Sequence, residues 1–420
     1  MRTLLAAVSI LALTACGLEG TDGQDTEATE ATETASANSD DYGYQTYSDD
    51  NLADSMASND EAGMEGGSVQ RGTEGVSQDA SNLGPDQTIA DSEERPVMQV
   101  QVVLDRRGFG PGVIDGKMGM STENALRGFQ EANDLDITGK HDEATKKALA
   151  DFDKIPATRV VTVPKEWGEL EFVDMPAETA DKAEMERLGY TSLDEKLAER
   201  FHTTVAVLKE LNPGGKPAGM DSSEDTGSAV AAETDDEDEG ASFFAAGQKI
   251  RVPNIGADRI APGSIQDRGW QQTLASLGVG TEQPQADRIV VSKAGQTLKA
   301  YDGEKLIGIF TVSSGSAEFP LPLGEWDIVG EAYNPPYSYD PEVLGQKNTD
   351  GQTYTLPPGP NGPVGIVWID LSKEHYGIHG TPEPETIGRA QSSGCVRLTN
   401  WDAARLSQMV DTETQVIFEA

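Results

Sequence analysis

The chain has 420 residues, enough for two or three domains, and a formal net charge of −40. Such an acidic chain is not expected to bind nucleic acid, because Lys and Arg side chains bind the phosphate backbone. It has two cysteines, Cys16 and Cys395. If Cys16 is modified, no internal disulfide can form, and Cys395 is left as an unpaired thiol.

Residues 4–13 form an apolar run that is too short for a permanent membrane span and is typical of a signal peptide. Residues 13–16, which end in Cys16, resemble the lipobox of bacterial lipoproteins. The resemblance implies that residues 1–15 are removed and that Cys16 is lipidated. Because Gly17 is not Asp, it also implies sorting to the outer membrane, with the protein in the periplasm. The alternative is an ordinary secretory signal with an incidental cysteine.

Residues 16–95 are rich in Asp, Glu, Ser, Thr, Gly and Ala, and their only basic residues are Arg71 and Arg95. Such a segment cannot bury enough apolar surface to offset its conformational entropy, so we predict a disordered tether. A flexible coil of this length has ends roughly 50 Å apart, which would reach from a membrane to a nearby polymer. The alternative is a segment that only increases solubility.

Residues 96–152 carry three short apolar patterns with helical spacing, which predict a small three-helix core. The second helix is expected to begin at Ser121 or Thr122, either of which could cap it, and the third at Thr145. The region resembles the peptidoglycan-binding domain of cell-wall hydrolases, which implies peptidoglycan as a partner. The resemblance is carried by Asp115, Gly116, Gly119, Thr122, Ala125, Leu126, Phe129, Gln130, Leu135, Gly139 and Thr145.

Residues 159–255 are predicted to form a middle region with a strand at 160–163, a short strand and two helices within 190–212, and a closing strand at 248–253. An acidic insert at 213–243 is typical of a solvated loop and lacks the spacing of a calcium loop. The region resembles a LysM module, a glycan-binding βααβ unit. This resemblance is carried by Leu193, Leu197, Ala198, Phe201, Val205, Val207, Leu208, Leu211, Asn212 and residues 247–253.

Residues 286–420 are rich in predicted strands, and the only clear helix is expected from Asp402 to Val410. Many short strands with few helices predict a β-sandwich or a barrel-like core. The predicted strands are Arg288–Ser292, Thr297–Tyr301, Lys305–Ser313, Gly324–Gly330, Val364–Asp370 and Gln415–Phe418.

His379 and Cys395 each lie in a turn of small residues. A neighbouring imidazole is the usual device that makes a thiol nucleophilic, so the two residues together indicate acyl transfer through a thioester. Gly394 allows the backbone N–H groups of Gly394 and Cys395 to point at a developing oxyanion. Arg397 supplies a fixed positive charge suited to a carboxylate. The alternative is that Cys395 is only a small buried apolar residue.

The stretch from about Arg288 to Ala420 resembles the YkuD-type catalytic domain of L,D-transpeptidases, on the motifs at 378–381 and 392–397. Many members have a second His where Ser393 stands. The resemblance implies that the carbonyl of Gly380 orients the ring of His379. It implies that this ring takes the thiol proton, directly or as a preformed ion pair, and that no metal or other cofactor is needed.

The same resemblance implies the reaction. The thiolate attacks a peptidoglycan stem peptide after its third residue, a diamino acid. D-Ala leaves, and a side-chain amine of a second stem resolves the thioester into a 3→3 cross-link. The resemblance also implies acylation of Cys395 by a carbapenem.

Residues 331–363 are predicted to form a long segment rich in Pro, Gly and Tyr that covers the Cys/His cleft. Tyr333, Tyr337 and Tyr339 are candidate lining residues, which together with Ser393 and Arg397 make up the predicted substrate-binding set. The alternative for the tyrosines is that they pack against the underside of their own segment.

Other functions stay open at the level of sequence. Water as acceptor would make the enzyme a carboxypeptidase or an endopeptidase, and a protein lysine as acceptor would attach that protein to the wall. A degenerate catalytic domain would leave a non-catalytic wall-binding lipoprotein. The intact His379, Gly394, Cys395 and Arg397 favour an active enzyme.

Overall fold

A computed structural model describes residues 89–220, 242–340, 352–390, 392 and 394–420. All of these residues belong to one compact unit. The predicted signal peptide, Cys16 and nearly all of the predicted tether lie outside them, as do most of the acidic insert and Ser393. No helix in the described ranges is long and apolar enough to cross a membrane.

The first part of the fold is a helical region with three helices, α1 (Pro96–Arg106), α2 (Met120–Ala132) and α3 (Glu143–Leu149). Their apolar faces share one core, to which Val102, Leu104 and Leu126 contribute fully buried side chains. Burial of these faces stabilises helices that are too short to be stable alone.

The helix starts differ from the predicted ones for identifiable reasons. The N-cap of α2 is Gly119, and no side chain caps it. Thr122 is buried instead, and its hydroxyl accepts a hydrogen bond of 3.0 Å from the side chain of Gln101. The third helix begins before Thr145, because Asp142 is its N-cap and accepts from the backbone N–H of Thr145.

The second part, here called the middle module, consists of β1 (Thr158–Thr162), α4 (Thr179–Ala183), α5 (Leu193–Arg200), α6 (Val205–Leu211) and β2 (Lys249–Pro253). The two strands pair antiparallel from end to end. The side chain of Asn212, at the end of α6, donates to the carbonyl of Arg251 and accepts from its backbone N–H. This pair of hydrogen bonds holds α6 on β2.

Helix α7 (Arg268–Leu277) leads into the third part. Asp267 caps its first turn, and Gly278 ends it in the left-handed conformation, with φ of 71°. Trp270 and Leu274 are fully buried against the following β-sheet. The helix therefore closes one side of the sheet's core.

The third part is a nine-stranded sheet with one helix and a separate hairpin, whose bounds are as follows. The sheet contains β3 (Arg288–Ser292), β4 (Thr297–Asp302), β5 (Lys305–Thr311), β6 (Ser313–Ser314), β7 (Gly324–Tyr333), β10 (Val367–Leu371), β11 (Gly377–His379), β12 (Val396–Arg397) and β13 (Gln415–Glu419). The hairpin is β8 (Tyr337–Tyr339) with β9 (Tyr354–Leu356), and the helix is α8 (Asn400–Ser407).

The sheet is a near-closed mixed β-barrel. Its strand order is β5-β4-β3-β13-β7-β10-β11-β12-β6. The edge strands β5 and β6 are separated in the chain only by Val312, so the two edges must meet. The pairs β3–β13 and β11–β12 are parallel, and the others are antiparallel. The prediction of a barrel-like core is confirmed.

The predicted strands and helix of this part differ from the observed ones by up to three residues at their ends, and only Arg288–Ser292 has both predicted bounds. Helix α8 begins at Asn400, two residues before the predicted start, because Thr399 caps it and accepts from the N–H of Asp402. It ends at Ser407 instead of Val410. The predicted long segment at 331–363 is shorter than expected, since β7 continues to Tyr333 and the β8–β9 hairpin follows. Its residues 341–351 lie outside the described ranges.

The three parts meet around a buried carboxylate. Asp105, on α1, lies 3.1 Å from Nδ1 of His202, which follows α5 in the middle module. Arg405, on α8, donates to the backbone carbonyl of Asp105 at 3.1 Å and lies 3.5 Å from its carboxylate. In addition, a methyl group at Gly128 of α2 would overlap Ile309 of β5. The helical region and the middle module therefore pack directly on the barrel.

Candidate active site

His379 ends β11, with one neighbouring strand on each side. Its Cα partners are Trp368 on β10 and Arg397 on β12. Paired residues project from the same face of a sheet, whereas successive residues alternate. Ile378 and Val396 therefore project from the other face, where both are fully buried in the barrel core. His379, Trp368 and Arg397 share the outer face.

The imidazole of His379 is held in one tautomer. Its Nδ1 lies 2.7 Å from the carbonyl oxygen of Gly380. A carbonyl oxygen only accepts, so Nδ1 carries the proton and Nε2 is left with a lone pair. The indole of Trp368 stacks on the ring, and His379 is only 4% exposed. Burial, followed by the positive charge of Arg397, lowers its pKa to about 4, although the Gly380 carbonyl opposes this shift.

Cys395 follows a tight turn directly before β12. Gly394 has φ of 107°, and a Cβ there would lie 2.7 Å from the ring of Tyr376, so only glycine fits. The hydroxyl of Ser392 donates to the carbonyl of Cys395 and closes the turn. The residue is partly buried, and its Sγ donates to the carbonyl of His375 at 3.7 Å.

The sheet register relates the thiol to the imidazole. Cys395 lies in a bend directly before β12, two residues before Arg397, which is the register partner of His379. The charge of Arg397 lies within electrostatic reach of both Cys395 and His379.

The pKa shifts of the thiol and the imidazole bear on the two routes of proton transfer that the sequence left open. Burial raises the pKa of Cys395 above its ordinary value, and the backbone N–H of Gly377 and the charge of Arg397 only partly offset this. With the pKa of His379 lowered to about 4, a neutral thiol and a neutral imidazole are favoured at rest. Of the two protonation alternatives, the resting site therefore favours direct proton transfer over a preformed ion pair.

Arg397 directs its charge at the site. It lowers the pKa of both Cys395 and His379. Its Nε is buried, and no described group accepts a hydrogen bond from it. An unsatisfied guanidinium N–H beside a nucleophile is suited to a carboxylate.

The three candidate tyrosines do not lie together. The ring of Tyr337 lies within electrostatic reach of Cys395 and Arg397, although burial is the first cause of its raised pKa. Tyr339 is its neighbour on the same hairpin strand. Tyr333 pairs with Val367, so it projects from the face opposite His379. There it stacks on Trp270 at 4.3 Å and donates to Glu331 at 2.6 Å, which are packing contacts.

Some residues of the site were not found by sequence reasoning. Trp368 covers the imidazole, Tyr376 covers Gly394, and the carbonyl of His375 accepts from the thiol. Gly377, two residues before His379, could have indicated from the sequence that a large side chain packs there. A Cβ at this position would lie 2.5 Å from the indole of Trp368, so the glycine makes room for the ring. Among the described residues, no group of three or more His, Cys, Asp or Glu side chains could hold a metal ion.

Comparison with known families defines the class of protein. Residues 286–418 match the YkuD family, described as an L,D-transpeptidase catalytic domain, a cysteine-dependent family. Residues 93–149 match a second family, described as "Putative peptidoglycan binding domain". The first match covers the barrel, and the second covers the helical region.

Curated relatives agree with this assignment. The chain is 35% identical over 145 residues to "Putative L,D-transpeptidase YkuD" of Bacillus licheniformis, which covers 34% of this chain and 73% of the relative. It is 31% identical over 128 residues to the protein of the same name from Bacillus subtilis, covering 30% of this chain and 63% of the relative. The chain belongs to the YkuD family of peptidoglycan L,D-transpeptidases.

Solved structures with some likeness include L,D-transpeptidase 3 from Mycobacterium tuberculosis in complex with a faropenem-derived adduct. The identity is 19%, the TM-score is 0.27, and the match covers 32% of this chain and 60% of that one. The chain thus spans less than two thirds of that structure's length.

Proposed function

We propose that this protein is an L,D-transpeptidase that cross-links peptidoglycan stem peptides 3→3 through a thioester on Cys395. The observation that carries the proposal is the 2.7 Å hydrogen bond from Nδ1 of His379 to the Gly380 carbonyl. It leaves Nε2 with a lone pair, which we propose accepts the proton of the Cys395 thiol. A buried neutral imidazole with this tautomer is a general base at neutral pH.

In the acylation step, Nε2 of His379 takes the proton of Cys395 as Sγ attacks the carbonyl carbon of the third residue of the stem, which is bonded to the D-Ala nitrogen. The tetrahedral oxyanion is stabilised by the backbone N–H groups of Gly394 and Cys395, each worth about 3 kcal/mol by analogy with other such donors. The protonated imidazole then returns the proton to the leaving D-Ala amine. The products are a thioester on Sγ and free D-Ala.

In the second step, a side-chain amine of another stem loses a proton to Nε2 and attacks the thioester. An amide forms, the Sγ–acyl bond breaks, and the thiolate recovers a proton from the imidazolium. Arg397 is proposed to bind a substrate carboxylate, because its buried Nε has no partner among the described groups. Tyr337 is proposed to line the substrate cleft with Tyr339, whereas the contacts of Tyr333 support packing only.

Two further proposals concern location and the middle module. Lipidation of Cys16 would anchor the protein in the outer membrane, with residues 17–95 as the tether. The middle module is proposed to be LysM-like and to bind glycan, which its two paired strands and the helices α5 and α6 between them support, with α4 as an additional short helix. Incorporation of a palmitate analogue in the wild type but not in Cys16→Ser would test the anchor.

Muropeptide mass spectrometry tests the activity. The purified full chain is incubated with sacculi, with Cys395→Ala as the matched control. New dimers linked 3→3 that the variant does not form would support the proposal. Trimmed monomers would instead indicate water as acceptor and a carboxypeptidase, and a wall-linked protein would indicate a lysine acceptor. Equal products from the wild type and the variant would contradict Cys395 as the nucleophile.

A further inference from the structure

Asn400, the first residue of α8, packs behind the catalytic histidine. Its side chain is fully buried, and its Oδ1 lies so close to Gly380 that a methyl group there would overlap it. Gly380 is the residue whose carbonyl accepts from Nδ1 of His379. The position of the Asn400 amide therefore limits where that carbonyl, and with it the imidazole, can lie.

The amide of Asn400 is held by the middle module. Its Nδ2 donates to Oε1 of Glu199, on α5, at 2.6 Å, and to the carbonyl of Pro360 at 3.2 Å. The other carboxylate oxygen of Glu199 accepts from the hydroxyl of Tyr190. Glu199 is thus fixed from its own module on one side and binds the catalytic domain on the other.

The carbonyl of Pro360, which accepts the second hydrogen bond of the Asn400 amide, is held in place by the same module. The backbone N–H of Leu188 donates to the carbonyl of Pro358, and its carbonyl accepts from the N–H of Asn361 at 3.0 Å. The side chain of Asn361 also donates to the carbonyl of Gly189 at 2.9 Å. These hydrogen bonds bracket Pro360, so both partners of the Asn400 amide depend on contacts with residues 188–199.

We infer that Glu199 is a positioning residue of the active site, which acts through Asn400 on the Gly380 carbonyl and so orients the ring of His379. The inference deepens the proposed function and rests on it. It gives the middle module a task besides glycan binding, because the catalytic histidine is aligned only when this module is docked on the barrel.

The alternative is that Glu199 only holds the module to the barrel, and a matched control separates the two. Asp194 is a buried carboxylate on the same helix, but it accepts from the backbone N–H groups of Phe243 and Phe244, within its own module. Asp194→Ala therefore damages the same module without touching Asn400. Glu199→Gln is the conservative variant, since it keeps an acceptor for Asn400.

The experiment measures two quantities on the full chain: the rate at which imipenem acylates Cys395, by mass spectrometry, and the NMR signal of the His379 Nδ1–H in protein labelled with ¹⁵N-histidine. We expect Glu199→Ala and Asn400→Ala to slow acylation by up to about 100-fold and to weaken the Nδ1–H signal. The double variant should be no slower than the worse single one, because both act through one contact. Glu199→Gln and Asp194→Ala should stay within about 3-fold of the wild type.

Three results would overturn the inference. In Glu199→Ala, imipenem could acylate Cys395 at the wild-type rate, with an unchanged Nδ1–H signal. Asp194→Ala could slow acylation as much as Glu199→Ala, or Glu199→Gln could fail to restore the rate. If the wild type itself forms no adduct and no cross-links, the proposed function fails. The Nδ1–H signal of the variants then still decides whether Glu199 positions His379.

Discussion

The indole of Trp368 lies over the imidazole of His379, with ring centroids 5.4 Å apart and planes inclined by 23°. The two residues are register partners on β10 and β11. This contact is possible because residue 377 is glycine: a Cβ there would lie 2.5 Å from Cζ2 of Trp368. The indole excludes water from the imidazole, and this burial is the first cause of the lowered pKa of His379.

We expect Gly377→Ala to displace the indole and expose the ring of His379. Acylation of Cys395 by imipenem should slow by roughly 10-fold or more, because a small misplacement of a catalytic group is costly. The matched control is Gly330→Ala, on β7 of the same sheet, where a Cβ would meet nothing within 4 Å. A variant at Gly377 that acylates as fast as this control would contradict the role given to the indole.

Gly394→Ala should destabilise the turn before the nucleophile. Its φ of 107° is strained for a residue with a side chain, and the new Cβ would meet the ring of Tyr376 at 2.7 Å. We expect a loss of about 1–3 kcal/mol in the free energy of unfolding, measured with urea. Adding Tyr376→Ala should recover the part due to the ring contact but not the part due to φ. No recovery at all would mean that the ring contact is unimportant.

The pH profile of acylation follows from the state of His379. The base must be unprotonated, so the rate falls as the pH falls through the pKa of the folded protein, which is about 4. We therefore expect a flat rate from neutral pH down to about pH 5. A fall centred near the ordinary histidine pKa of about 6.5 would contradict the buried neutral imidazole.

Arg397→Met provides an independent check on the same group. The guanidinium charge lowers the pKa of His379, so its removal should move the acid limb of the profile to higher pH. The same variant should raise the pKa of the Cys395 thiol, since the charge lowers that pKa as well. The rate of alkylation of Cys395 by iodoacetamide against pH measures the second effect. Profiles unchanged by the variant would place the charge too far from both groups.

The junction of the three parts is predicted to be cooperative. Arg405→Met leaves the buried carboxylate of Asp105 without its guanidinium partner. Breaking such a buried pair typically costs about 3–5 kcal/mol. We expect this loss in a single unfolding transition followed by both far-ultraviolet circular dichroism and tryptophan fluorescence. Two separate transitions in the wild type would show that the helical region unfolds independently of the barrel.

Much of this fold was accessible from the sequence because the signals are local. The strands at Arg288–Ser292 and Gly324 onwards were predicted from β-branched residues bounded by glycine and proline, and β3 and β7 begin where expected. The predicted helix starts were less accurate where the capping residue lies just before the apolar pattern. Thr399 and Asp142 determine the starts of α8 and α3, and both precede the residues from which the starts were predicted.

What the sequence could not supply depends on pairing between strands. His379 and Cys395 could be singled out by their glycine turns, but the parallel pairing of β11 with β12, which sets Arg397 beside His379, could not be predicted. Strand pairing also decides the position of Tyr333, which alternation places on the opposite face from His379. The contact of Glu199 with Asn400 joins residues 201 positions apart, and no local pattern predicts it.

The thioester on Cys395 is tested most directly by mass spectrometry of the acid-quenched reaction between the full chain and a stem tetrapeptide that ends in D-Ala. We predict one equivalent of D-Ala released in the first turnover. The peptide that contains Cys395 should gain the mass of the tripeptide acyl group, and hydroxylamine should remove it. D-Ala released without this adduct, or an adduct that persists in Cys395→Ala, would contradict the mechanism.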